Sequence, residues 1–243
     1  MFLVILILFI SALLGGLATL LIGIKPSAIR LPLIFAGAFL FGVTIIHILP
    51  EIFTLSDQPM KIGVFILVGF FMQQLLEHFT SGIEHGHFHS HKGHSALSGI
   101  TTIPLLVALV IHSLLEGALL THDSPFHARH ESYTLLLGII LHKMPAAFAL
   151  MTTLKSGKSF TLNQWIILLI FALSSPVGLL FSERILTLSQ EHLLFLFALV
   201  CGSFLHISTT IFIESNPEHK LGIKKIIAAV GGAFVAIVAE FFI

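Results

Sequence analysis

The stretch "VIHSLLEGALL", residues 110–120, places a histidine and a glutamate four residues apart inside a sequence that is otherwise apolar. A second stretch, "LHKMPAAFAL" at residues 141–150, holds His142 and Lys143 in the same kind of setting. A charged side chain at the centre of a lipid bilayer costs at least ~2.5 kcal/mol. Ionisable side chains at such positions therefore indicate a functional site.

The apolar setting of these two stretches recurs along all 243 residues, of which 56% are hydrophobic and 10% are charged. The mean hydropathy is +1.03, and apolar runs of about twenty residues are typical of a polytopic membrane protein. Lipid offers the backbone no hydrogen-bond partner, so the predicted fold class is all-α. Twelve basic and 12 acidic residues balance, which gives no indication of nucleic-acid binding. The single cysteine excludes an intrachain disulfide framework and a cysteine-rich metal site.

Turn-forming residues between the apolar runs divide the chain into eight predicted transmembrane helices. Their ranges are 1–22, 31–53, 62–80, 101–121, 133–154, 162–181, 191–213 and 221–243. We interpret the first as a retained helix, because no basic residue precedes it and no convincing small-residue cleavage site follows. Residues 1–243 are accordingly expected to form a single transmembrane domain.

The basic residues predict the orientation of this domain, because cytoplasmic loops collect lysine and arginine. The first, third, fifth and seventh connections, with their adjacent helix ends, contain Lys25, Arg30, Lys92, Lys155, Lys158, Lys220, Lys224 and Lys225. The other connections contain only Lys61, Arg129 and Arg184. The odd-numbered connections are therefore predicted to be cytoplasmic, with both termini outside.

Spans 101–121 and 133–154 are predicted to be antiparallel neighbours, because their linker is short. At a rise of ~1.5 Å per residue, His112 and His142 then lie within about 2 Å of the same depth. His112 and Glu116 share one helix face, so two imidazoles and a carboxylate can converge on one ion. Nitrogen and oxygen ligands without thiolate suit Zn²⁺, with Fe²⁺ or Mn²⁺ as alternatives. A single intramembrane histidine is as well explained by interhelical hydrogen bonding, but three such groups at one depth favour a metal site.

Several motifs resemble those of the ZIP (Zrt/Irt-like) family of divalent metal transporters. "HSLLEGALL" (112–120) and "HKMPAAFAL" (142–150) are similar to the family's fourth- and fifth-helix signatures. "AGAFLFGVTIIHILPE" (36–51), "FALSSPVGLL" (171–180) and "GSFLHIS" (202–208) resemble its second, sixth and seventh helices. The resemblance implies a ZIP-like transporter domain of eight spans and not an enzyme.

The family's two-metal centre draws on His-Asn-x-x-Glu in the fourth helix and, in many members, His-Glu-x-Pro-Glu in the fifth. The resemblance therefore implies that the metal ligands are His112, Glu116 and His142. Where the family has an asparagine and two carboxylates, this chain has the second-site substitutes Ser113, Lys143 and Ala146. It thus resembles the branch with a His-Lys pair, which implies one transported ion and Lys143 in place of the other charge. By charge alone, Lys143 either takes the place of a second ion or pairs with Glu116.

Two further groups are candidate metal contacts. His47 and Glu51 are four residues apart at the predicted outer end of span two, where the resemblance implies an entrance site. The alternative is an interfacial polar pair that anchors the helix end. The predicted cytoplasmic loop 81–100 contains "EHGHFHSHKGH", a density of histidine that binds transition metals. The histidines of this tract are His85, His87, His89, His91 and His94.

Several other polar, proline and glycine residues also have an expected role. Glu77 and His78 end span three near the predicted cytoplasmic face and are candidates for an exit path. His206 is interpreted as an interhelical hydrogen-bonding group. Pro145 predicts a broken or kinked helix. Small residues are expected to mark close helix contacts at Gly15, Gly16, Gly231 and Gly232.

The leading hypothesis is a multi-pass protein of the cell membrane that transports Zn²⁺, with Fe²⁺ as a second candidate, toward the cytoplasm by alternating access. The metal is the substrate, and no catalytic cofactor is expected. The resemblance also implies an inverted relation between helices one to three and six to eight, with one helix set moving against another. The partners are the ion and the bilayer, and a homodimer is left open.

Two other classes of protein are the alternatives. A metal exporter of the cation-diffusion type also pairs intramembrane histidine with carboxylate, but that class generally has six spans and a soluble C-terminal domain. An intramembrane zinc hydrolase would use similar ligands to activate water. The sequence lacks the His-Glu-x-x-His pattern, and no other residue stands out as a general base.

Acid is expected to weaken metal binding. The ion needs neutral imidazole and ionised carboxylate, so protons compete with it. The affinity of the purified protein for Zn²⁺ should fall between about pH 7 and about pH 5, across the ordinary titration range of histidine. Equilibrium dialysis with ⁶⁵Zn²⁺ measures this, and equal affinities at the two pH values would contradict the expectation.

Overall fold

The structure is a computed structural model that describes residues 1–21, 30–80, 99–120, 131–154, 159–184, 190–214 and 222–242. The described residues are helical apart from short turns. The second helix, α2, runs through Arg30–Val43, a π-helical turn at Thr44–Ile48, and Leu49–Thr54. The others are α1 (Phe2–Leu21), α3 (Pro59–Thr80), α4 (Gly99–Ala118), α5 (Glu131–Leu154), α6 (Leu162–Arg184), α7 (Gln190–Glu214) and α8 (Ile223–Phe242).

Six helices in the described ranges are long and apolar enough to cross a membrane. They are α1, α2, α3, α5, α6 and α7, and α4 adds a shorter apolar stretch, Leu106–Ala118. The predicted span 221–243 coincides with α8, which is not among the six. The all-α, membrane-spanning fold class is thus confirmed, whereas the eight-span topology stays a prediction.

The π-helical turn in α2 determines which side chains of that helix face inward. A π turn adds a residue to the local repeat, and here Thr44 and His47 are buried while Ile45 and Ile46 are exposed. The Thr44 hydroxyl donates to the carbonyl oxygen of Leu40 at 2.7 Å. The break or kink predicted at Pro145 does not end its helix, because α5 continues as a helix on both sides of this residue.

The helices pack as two sets. One set carries the candidate ligands His112, Glu116 and His142 and is called the ligand-bearing set. In it, α1 packs against α5 and α6, and α4 packs against α6. In the flanking set, α3 packs against α7, and α2 packs against α8 and α7. The sets meet mainly where α2 contacts α5 and α3 contacts α4. Buried apolar side chains from both sets, including Phe39, Ile139 and Phe204, form one cluster.

Backbone contact at glycines occurs within each set. At six described glycines a methyl group would overlap a backbone carbonyl oxygen of a neighbouring helix. In the ligand-bearing set these contacts are Gly15 with Met144, Gly117 with Ser175, and Gly178 with Leu114. In the flanking set they are Gly69 with Leu199, Gly202 with Ile66, and Gly232 with Phe35. Between the sets, a methyl group on Gly138 would meet side chains, namely the Phe39 ring at 3.3 Å and Leu40 at 3.7 Å.

Three of the four glycines singled out in the sequence make the expected close contacts. Gly15 and Gly232 abut backbone, and Gly16 abuts the Leu168 side chain. The expectation is wrong for Gly231, where a methyl group would lie an ordinary 3.8 Å from the Phe35 ring. Gly231 and Gly232 both face Phe35, but only Gly232 is directed at its backbone.

Replacing Gly69 by alanine is expected to separate α3 from α7, because the new methyl group would overlap the carbonyl oxygen of Leu199. Overpacking of this kind typically costs ~1–3 kcal/mol. The matched control is Gly63→Ala in the same helix, where nothing lies within 4 Å of the added methyl group. Thermal unfolding in detergent should show a lower midpoint for Gly69→Ala alone. Equal midpoints for the two variants would contradict the packing.

Candidate metal centre

The side chains of His112, Glu116 and His142 converge between α4 and α5. All three residues are buried, and one ligand atom from each lies within 4.8 Å of the other two. His112 Nε2 is 3.1 Å from Glu116 Oε1. The ring centres of His112 and His142 are 5.7 Å apart, and the planes of the two rings make an angle of 86°. The structure therefore brings together the three residues that the sequence selected, and their role as ligands stays a prediction.

His142 is chemically suited to bind an ion. Neither of its ring nitrogens has a hydrogen-bond partner among the described residues. Buried polar groups normally have partners, so an exception needs a reason. A neutral imidazole nitrogen with an available lone pair is a ligand for Zn²⁺.

Lys143 is bound by side chains other than these three candidate ligands. Its ammonium donates hydrogen bonds to the hydroxyls of Ser113 on α4 and Ser175 on α6, the latter at 2.7 Å. It also lies 4.4 Å from the centre of the Phe171 ring. No ion pair joins it to Glu116 among the described residues. The sequence left two roles open for Lys143, in place of a second ion or as the partner of Glu116. The second, a direct ion pair with Glu116, is absent from the described arrangement.

Ala146, the third second-site substitute, lies one turn after His142 in α5. It is buried and belongs to an apolar cluster with Ala12, Leu109 and Phe171. Methyl groups thus occupy the position where the resemblance would place a carboxylate.

The entrance candidates, His47 and Glu51, lie beside a third side chain, Glu240 of α8. His47 Nδ1 lies 2.9 Å from Glu240 Oε1 on α8, and His47 Nε2 lies 3.6 Å from Glu51 Oε2. One buried imidazole thus bridges two half-buried carboxylates. Glu240 was not selected from the sequence, although a lone carboxylate in an apolar run is itself a signal.

A second histidine–glutamate pair joins α7 to α3. His206 Nε2 is hydrogen-bonded to Glu77, and Thr210 Oγ1 lies 3.3 Å from the same nitrogen. The Phe70 ring meets the imidazole edge to face, with centres 4.8 Å apart. The interhelical role expected of His206 is observed. Its partner, Glu77, was assigned in the sequence to a separate exit path.

The predicted loop histidines, His85, His87, His89, His91 and His94, lie outside the described residues.

The family model described as ZIP Zinc transporter matches residues 85–240, more than half of the chain. The chain therefore belongs to the ZIP zinc transporter family, whose members transport zinc or other divalent metal ions and are not enzymes. A comparison with curated proteins gives no match. The family and the apolar helices together make this a multi-pass membrane protein.

His142→Leu is expected to abolish the stabilisation of the protein by Zn²⁺ without lowering the stability of the ion-free protein. A ligand at ~100 times its Kd adds ~2.7 kcal/mol to the folded state, and this gain should disappear. No protein hydrogen bond is lost, because neither ring nitrogen of His142 has one in the described structure. Thermal unfolding with and without Zn²⁺ measures both effects.

The matched control is His206→Leu, which removes the hydrogen bond to Glu77. It should lower the ion-free midpoint and keep the zinc-dependent rise. A zinc-dependent rise that survives in His142→Leu would contradict the ligand assignment.

Proposed function

We propose that this protein carries Zn²⁺ across the membrane toward the cytoplasm by alternating access around a single ion site formed by His112, Glu116 and His142. The observation that carries the proposal is the convergence of these buried groups within 4.8 Å. It occurs in a chain of the ZIP zinc transporter family.

The donor set fits a transported ion. Two imidazole nitrogens and a carboxylate oxygen suit Zn²⁺, and three protein ligands leave a fourth tetrahedral position open. An open position lets the ion exchange ligands as it arrives and leaves. Fe²⁺ and Mn²⁺ are further candidate substrates, because such donors select weakly among divalent ions.

The packing supports a movement of one helix set against the other. Backbone contacts at Gly15, Gly117 and Gly178 fasten the ligand-bearing set, and Gly69, Gly202 and Gly232 fasten the flanking set. The described glycine contact between the sets involves side chains at Gly138, and side chains can rearrange as a boundary shifts. The ligand-bearing set would then carry the ion as a unit.

The pattern of helix pairs supports an inverted repeat. In such a repeat α1 corresponds to α6, α2 to α7, α3 to α8, and α4 to α5. Exchanging the corresponding helices turns the α1–α5 pair into the α6–α4 pair. The same exchange turns α2–α8 into α7–α3. Both members of each exchange are observed as closely packed pairs. Transporters with such repeats place the substrate between them, near the midplane.

The two histidine–glutamate pairs follow the same exchange. His47 on α2 binds Glu240 on α8, and His206 on α7 binds Glu77 on α3. With the proposed topology of eight spans and both termini outside, the pairs lie on opposite sides of the midplane. We assign His47 and Glu51 to the entrance, with Glu240 as an added partner, and His206 with Glu77 to the exit. The loop histidines between 85 and 94 would receive ions in the cytoplasm.

The decisive experiment is ⁶⁵Zn²⁺ uptake into proteoliposomes by the wild type, His112→Ala and Glu116→Gln. Both substitutions should lower uptake at least about tenfold, since even outer partners of metal ligands are worth ~10–100-fold. The control is His192→Ala, an exposed histidine of α7, which should leave uptake unchanged. Wild-type uptake no greater than that of empty vesicles would refute the proposed function.

A further inference from the structure

We infer that Ser175 of α6 is a positioning residue of the transport site, which holds the Lys143 ammonium away from the metal ligands and thereby sets the affinity for the ion. The inference rests on the proposed function, since it assigns a role at the same site. Its starting point is the hydrogen bond of 2.7 Å from Lys143 Nζ to Ser175 Oγ.

The ammonium has a complete set of partners in this position. An ammonium has three N–H donors. Two are directed to the hydroxyls of Ser113 and Ser175, and Phe171 places its ring face 4.4 Å from the nitrogen. Lys143 is only 1% exposed, so water does not compete for these donors. Removing one acceptor would leave a buried cation short of a partner, which is costly.

Ser175 is itself held in one orientation. Its hydroxyl donates to the carbonyl oxygen of Ser113 at 2.9 Å and lies 3.0 Å from the Ser113 hydroxyl. The backbones of α4 and α6 touch at this level, where a methyl group on Gly117 would overlap the Ser175 carbonyl oxygen. The Ser113 and Ser175 hydroxyls, which accept from the ammonium, are therefore held in place where α4 and α6 cross.

The chain connectivity links this ammonium site to the metal ligands. Ser113 follows His112 on α4, and Lys143 follows His142 on α5. Lys143 therefore sits beside the ion site and repels a cation there, by an amount that depends on its distance. Glu116 is one helical turn from Ser113, and its carboxylate would attract an ammonium released from Ser175. An ammonium that moves to Glu116 would compete with the ion for that ligand.

The test is the concentration dependence of ⁶⁵Zn²⁺ uptake by Ser175→Ala. We expect KM to rise about tenfold, as for a lost hydrogen bond to a charged group, with the maximal rate within about twofold of the wild type. The matched control is Ser174→Ala: Ser174 is also buried, but its hydroxyl donates to the Ile170 carbonyl oxygen of its own helix. Ser174→Ala should leave KM unchanged.

The Lys143→Met variant shows whether Ser175→Ala acts by releasing the ammonium or by disturbing helix packing. If Ser175 acts through the ammonium, Ser175→Ala should not change KM once Lys143 is methionine. An equal rise of KM in both backgrounds would overturn the inference, and so would an unchanged KM in the wild-type background. Should Ser175→Ala not fold, Ser175→Cys carries the same test, because it replaces only the hydroxyl oxygen by a sulfur, which is a weaker acceptor.

A failure of the proposed function is distinguishable from a failure of this inference. If the wild type shows no uptake, the same variants are compared by equilibrium ⁶⁵Zn²⁺ binding to purified protein. The histidines at 85, 87, 89, 91 and 94 are replaced by glutamine there, so that the loop does not bind the ion. Kd should then follow the pattern expected for KM, and a Kd insensitive to Ser175→Ala would refute the positioning role.

Discussion

Backbone contact between α4 and α6 is the interaction on which the centre of this molecule depends. Gly117 and Gly178 let each helix touch a carbonyl oxygen of the other. At that distance the short side chains of Ser113 and Ser175 can meet and accept the Lys143 ammonium from α5. A larger residue at either glycine would separate the two hydroxyls, and the lysine would lose its site. The geometry of the candidate ligands on α4 and α5 therefore depends on two residues that have no side chain.

The sequence predicted the parts of the site that follow from local geometry. His112 and Glu116 share a face because they are four residues apart in a helix. His142 was expected to join them because a short connection would make α4 and α5 antiparallel neighbours. In the described residues α4 and α5 are not a closely packed pair, although the rings of His112 and His142 do meet. The partners on other helices were missed: Glu240 for His47, Glu77 for His206 and Ser175 for Lys143. Which helices lie side by side depends on the whole bundle, and nothing in the spacing of one segment encodes it.

The π-helical turn in α2 was missed for a related reason. Its residues, Thr44–Ile48, follow the pattern of an ordinary apolar helix. The extra residue turns His47 into the bundle, where it reaches α8. Pro50 lies just after the turn, and its missing N–H weakens the helical ladder there. Proline in an apolar span thus marked the irregular region, although it could not say what form the irregularity would take.

The concentration of backbone contacts at a few small residues also affects how the sequence can vary. Many side chains on the outside of the bundle, such as Leu67 and Phe71 of α3 and Phe234 of α8, are exposed, and lipid accepts any apolar group there. Those positions can exchange leucine for phenylalanine or valine at little cost. The information that specifies this architecture resides in a small number of glycines and buried polar groups. Two chains could therefore share this fold and chemistry while agreeing at few of their remaining positions.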